Sequence, residues 1–203
     1  MSDICSRLAV LGTLLLAGCL SLPAPQPEQP RLYRLDAQLS ALPPMSQRQL
    51  VLAVSLPRAQ PGTDTAGMVY VQHAHELEYF VSSRWADTPA RMLEPLLLQA
   101  LAQTGRFRAV VHNTGTLAAD LRLESEWVRL QQEFDTRPSR MHLTLRVQLV
   151  DLRSKQVLAT QEIDEVEPAD SENAYAGVMA ANRALQRVLA RVVEFCAAQT
   201  AAR

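Results

Sequence analysis

Lysine is almost absent from this 203-residue chain: Lys155 stands alone beside 19 arginines, and 20 basic residues against 21 acidic ones leave a net charge of -1. So balanced a charge has no general attraction for a phosphate backbone, and no nucleic-acid partner is expected. A long hydrophobic run is missing as well. The most apolar stretch, residues 8–20, has 13 residues, whereas a membrane-spanning helix needs about 20. Cysteine occurs three times, at 5, 19 and 196, with no closely spaced pair to hold a metal. There is no glycine-rich phosphate loop, no Gly-x-Ser-x-Gly elbow and no His-Glu-x-x-His helix, so the common seats of enzymatic chemistry are lacking. What remains is ordinary: 48% hydrophobic and 20% charged residues suit a globular body, and the length suits one domain with appendages.

The N-terminus has the parts of a secretory signal: a short polar start with Arg7, the apolar run, and small residues before a cysteine. Leu16-Ala17-Gly18-Cys19 resembles the bacterial lipobox, in which the cysteine thiol is diacylated and becomes the first residue of the mature protein. Residues 1–18 are therefore expected to be a lipoprotein signal peptide and Cys19 the lipidation site. Two or three acyl chains on one cysteine hold a protein to a bilayer without a spanning helix. Leu20 and Ser21 follow the cysteine in place of the Asp that commonly retains Gram-negative lipoproteins in the inner membrane, which favours the periplasmic face of the outer membrane. Cleavage removes Cys5 and acylation consumes Cys19, so Cys196 is left without a disulfide partner and is read as a buried structural thiol. Residues 19–30, with four prolines, make an extended tether.

Residues 31–199 read as one α+β domain, followed by a short tail at 200–203. A strand is expected at 31–35, a buried one at 50–56, and a hairpin of 68–72 with 76–81 around His73-Ala74-His75. Thr88-Pro89 starts a helix, with Thr as N-cap and Pro at the first position, that runs to about Gln103 before Gly105; Pro95 should kink it or delay its regular start. Strands follow at 107–112, 120–134, 139–152 and 156–166. In the third of these, Leu143, Leu145, Val147 and Leu149 alternate with His142, Thr144, Arg146 and Gln148, giving one buried and one wet face. Residues 173–199 close the chain as an amphipathic helix whose Arg183, Arg187 and Arg191 form an outer row, either solvated or facing an anionic partner. The order implies a largely antiparallel or mixed sheet of about six to eight strands with two main helices packed on one face.

Candidate chemistry is sparse. His73 and His75 could share a metal ion on a strand, but they fall in the expected turn and no third ligand is evident, so no metal or cofactor is expected. Glu76 and Glu78 would share a strand face, and a cell-envelope hydrolase using one of them as acid or base is the alternative function. The segment 76–89 concentrates Tyr79, Phe80, Arg84 and Trp85, a composition that suits either an interaction surface or packing beneath the first helix. Arg137 and Arg140 flank Pro138-Ser139 at the tip of the long hairpin, as a contact loop or a simple turn.

From Tyr33-Arg34-Leu35, through the strand before Pro57 and the Tyr79-to-Trp85 segment ahead of the helix, to the final helix, the chain resembles the ABC-type transport auxiliary lipoprotein family, that of the PqiC-like lipoproteins. Pro95 departs from the expected regular helix. The resemblance implies a non-enzymatic periplasmic lipoprotein, lipid-anchored at the outer membrane. It would serve an MCE-type system that moves lipids or other hydrophobic molecules between membranes. The partners implied are an MCE-domain protein and further copies of the chain, with Arg84, Trp85, Arg137 and Arg140 as interface candidates.

Overall fold

The computed structural model describes residues 29–39, 45–113, 115 and 117–201. The expected signal peptide at 1–18, Cys19, most of the expected tether and residues 40–44 lie outside the described residues. Eleven elements follow in order: β1 (Arg31–Tyr33), β2 (Arg48–Val54), β3 (Arg58–Ala59), β4 (Gly67–Val71), β5 (Glu78–Trp85), α1 (Pro89–Gln103), β6 (Phe107–His112), β7 (Leu121–Glu133), β8 (Arg140–Asp151), β9 (Gln156–Pro168) and α2 (Ala174–Gln199). The nine strands form one mixed sheet. The ninth is β3, which follows Pro57 directly, where the sequence pattern expects a stop.

β7 is the spine. On one edge it pairs antiparallel with β8, which pairs antiparallel with β9. Its other edge is shared in series by three short parallel partners: β2 at Leu121–Leu123, β3 at Glu126 and Trp127, and β4 at Gln132 and Glu133. β6 extends β2 in parallel, β5 returns antiparallel to β4, and β1 lies parallel to the end of β5 with Tyr33 opposite Trp85.

Both helices pack on the same sheet face, where Leu93, Leu97 and Leu101 of α1 and Leu185, Val188 and Val192 of α2 join Leu123, Trp127, Leu143, Leu145 and Leu149 in one core. A bulge in β7 serves this core. The β7–β8 register shifts between Trp127 and Arg129, so that Trp127 lies opposite Leu145 and Leu130 opposite Leu143. Three residues apart, the two would face opposite ways in a regular strand; the extra residue keeps both buried. Cys196 is buried on the same side, and that burial pushes its thiol up to about 12.

The two helices start differently. Asn173 caps α2, its side-chain oxygen accepting from the Ala176 N–H at 2.9 Å. Thr88 occupies the N-cap of α1, but its hydroxyl makes no capping bond; its own N–H donates to Asp87 Oδ1 at 2.7 Å. α1 runs unbroken through Pro95. At the far end of α2, buried Arg106 donates to Thr200 Oγ1, Ser46 O and Ala197 O, tying the last turn to β6. Neither helix among the described residues is long and apolar enough to cross a membrane.

Candidate functional site

The sheet face turned away from the helices is not simply wet; it is an ionic layer built by register. His142 on β8 lies opposite Gln131 on β7 and Val166 on β9, and Thr144 lies between Arg129 and Asp164. His142 directs Nδ1 to Glu133 Oε1 at 2.9 Å and Nε2 to Asp164 Oδ1 at 3.0 Å, with Arg129 Nη1 2.8 Å from Nε2. Thr144 donates to Asp164 Oδ1. Enclosed this way, Thr144 is only 3% exposed, which corrects the expectation that it faces water. Further along, Arg146 bridges Glu126 at 3.2 Å and Glu162 at 3.0 Å.

Two carboxylates carry the electrostatic signature of this layer. Burial pushes Glu133 up, but hydrogen bonds from Arg140, Gln131 and His142 outweigh it and hold the carboxyl below its ordinary value. The bond from Thr144, opposed by partial burial and helped by His142, lowers Asp164.

Of the candidates read from the sequence, His73, His75, Glu76 and Arg140 are brought to one end of this layer. His73 and His75 sit in the β4–β5 turn, with His75 at φ 71°, and Glu76 belongs to the same turn instead of sharing a strand face with Glu78. His73 Nδ1 is 3.5 Å from Glu76 Oε2, while Glu78 on β5 accepts from Tyr70 Oη at 2.7 Å. The two carboxylates are thus separately engaged. Among the described residues, no group of three His, Cys, Asp or Glu side chains converges as a metal ion would require. An open cleft of about 580 Å³ lies between the turn and the ionic layer, lined by His73, His75, Glu76, Glu133, Asp135 and Arg140 among others.

The interface candidates separate. Trp85 is 3% exposed and packs in the core, because β5 continues to residue 85 and turns it inward; it is not a surface anchor. Arg84, its neighbour on the strand, is exposed. Arg140 is committed within the chain, its Nε 2.9 Å from Glu133 Oε2 and an Nη 3.2 Å from Asp135 Oδ2. Arg137 is exposed in the hairpin tip, before a cis peptide bond to Pro138. The arginine row of α2, though partly exposed, is engaged within the chain. Arg183 reaches Glu167 at 2.6 Å, Arg187 reaches Glu165 and Glu167 at 2.8 Å, and Arg191 reaches Glu165 at 3.1 Å. The sequence reading missed this ladder and the His142 cluster because each joins residues on different elements, which only strand register brings together.

The model of the family described as the ABC-type transport auxiliary lipoprotein component matches residues 33–193. The chain belongs to this family. It is an auxiliary lipoprotein of ABC-type transport, membrane-anchored in the cell envelope. Solved structures share its fold: protein XCC0632 from Xanthomonas campestris superposes with a TM-score of 0.77 at 20% identity, covering 83% of this chain and 95% of that one. An uncharacterized protein superposes at 0.66 with 15% identity over 83% and 99%. The hypothetical protein CT253 from Chlamydia trachomatis gives 0.50 with 12% identity over 72% and 96%. No curated protein matches the auxiliary lipoprotein.

Proposed function

We propose that this auxiliary lipoprotein is acylated at Cys19, held at the periplasmic face of the outer membrane, and docks the MCE-domain protein of an ABC transport system that moves lipids or other hydrophobic molecules between membranes. Its parts are a signal peptide at 1–18, a tether at 19–30 and a single docking domain at 31–199. The observation that carries the reading is the family match over 33–193 joined to the lipobox at 16–19. Leu20 and Ser21 after the cysteine support outer-membrane sorting. Arg84 and Arg137, the exposed members of the arginine set, contribute to the contact with the MCE partner or with a second copy, because a planar guanidinium offers several donors and stacks on aromatic rings.

Mass spectrometry of the mature protein tests the anchor and should find a lipid-modified Cys19. Density separation of membranes should place the wild type with the outer membrane and release Cys19→Ser to the soluble fraction. The MCE-domain protein should be recovered with the wild type after crosslinking in cells. An unmodified N-terminus, or crosslinked material that lacks the MCE-domain protein, contradicts the corresponding half of the reading.

A further inference from the structure

Among the described residues, four of the ten exposed large apolar side chains lie where the chain enters the body. Around the three-residue β1, Leu32 is 67% exposed, Val81 93%, Tyr175 58% and Met179 42%. Tyr33 and Tyr175, from β1 and the first turn of α2, bring their rings to 6.1 Å between centroids. Met179 follows Tyr175 by four residues and so lies next to it on the helix surface. Every other large apolar side chain of α2 from Val178 to Cys196 is buried, so these two stand apart from the helix's core face. An open cleft of about 480 Å³, lined by Arg31, Tyr33, Ser83 and Tyr175 among others, separates β1 from the helix start.

The chain outside the body limits what can cover this face. Eleven residues, 20–30, join Cys19 to β1. Fully extended they span at most about 40 Å, roughly the diameter of a domain of this size. The acyl chains are therefore leashed to the β1 end by a connection no longer than the body is wide.

We propose that the face formed by Tyr33, Tyr175 and Met179, with Arg31, rests in the headgroup layer of the bilayer that holds the Cys19 acyl chains. Tyrosine has an apolar ring and a polar tip and settles at that depth, and a guanidinium donates to lipid phosphates. The inference rests on acylation at Cys19 and adds an orientation: the β8–β9 turn then points away from the membrane, whereas the β7–β8 tip, where the Ser139 N–H donates to Glu172 Oε1 at 2.9 Å, lies at the same end as the start of α2.

Site-specific labelling of the full lipidated protein tests it, because Cys196 is fully buried and an acylated Cys19 is blocked. Tyr175→Cys, Met179→Cys and Ser154→Cys would each carry an environment-sensitive fluorophore. Ser154 lies in the β8–β9 turn, about 40 Å along β9 from its Pro168 end. In vesicles of phosphatidylethanolamine and phosphatidylglycerol containing doxyl lipid, labels at 175 and 179 should shift to the blue and be quenched, while the label at 154 should not change. Protein that floats with the vesicles but shows all three labels equally aqueous overturns the orientation and leaves the anchor standing. Protection at 175 and 179 that appears only on adding an MCE-domain protein, or at high protein concentration without lipid, makes the face a protein interface and also overturns it. Failure to float, with an unmodified Cys19, overturns the anchor and the orientation together.

Discussion

Single side chains show how closely the two sheet faces are specified. Leu145→Asp places an unpaired charge at a fully buried position, at a cost of several kcal/mol that rivals the stability of a whole domain. Thr144→Asp should be damaging too, because it sets a second carboxylate against Asp164, whereas Thr144→Ser keeps the donor and should melt near the wild type. Gly177 allows a close approach: a Cβ there would collide with Oε1 of buried Gln132, whose Nε2 donates to Ser139 Oγ at 3.0 Å. Gly177→Ala should therefore cost about 1–3 kcal/mol in denaturant melts. The ionic layer predicts the acid limb of stability. Glu133 and Asp164 have lowered folded values, so their contribution is present above the ordinary carboxylate range and is lost as pH falls through it, below about pH 4. Glu133→Gln should flatten that limb in melts from pH 6 to 3. Cys196, its thiol raised to about 12 by burial, should react with thiol reagents only as the protein unfolds.

At the scale of elements, β9 is an edge strand, and an unprotected edge invites pairing with another chain. The arginines of α2 close half of it. Arg183 donates to Pro168 O at 2.9 Å, Arg187 to Val166 O at 3.5 Å and Arg191 to Asp164 O at 3.4 Å, alternate carbonyls along the outer edge. Each partly exposed pair contributes no more than about 1 kcal/mol, so single Ala variants should melt close to the parent. The triple variant should aggregate sooner on warming, as read by light scattering. None of this pairing is visible in the local pattern. Thr88-Pro89 and Gly105 mark α1, and period-two alternation marks β8, because caps and faces are local matters. Partner choice is not local: nothing in residues 31–33 indicates β5 as their neighbour, and nothing in β2, β3 and β4 indicates that all three line up on β7. The bulge beside Arg129 is likewise silent in sequence, and without it the burial of Thr144 cannot be foreseen.

For the whole molecule, the proposed function has two parts, a lipid anchor at Cys19 and a docking contact on the surface of the domain. The family membership makes the chain an auxiliary component of ABC-type transport, and in the sequence the proposed lipidation site and tether directly precede β1. Of the arginines singled out from sequence, Arg84 and Arg137 remain exposed, while Arg140 is held by Glu133 and Asp135. Arg140→Ala should accordingly lower the melting temperature more than Arg84→Ala does. The most direct measurement is the affinity of the full lipidated protein, held in a nanodisc, for the MCE-domain protein. The account predicts saturable binding by the wild type, and a loss of roughly thirtyfold or more for Arg84→Ala or Arg137→Ala variants that keep the parent's melting temperature, the effect of removing a binding hot spot worth about 2 kcal/mol. Absence of binding by the folded, lipidated wild type would contradict it.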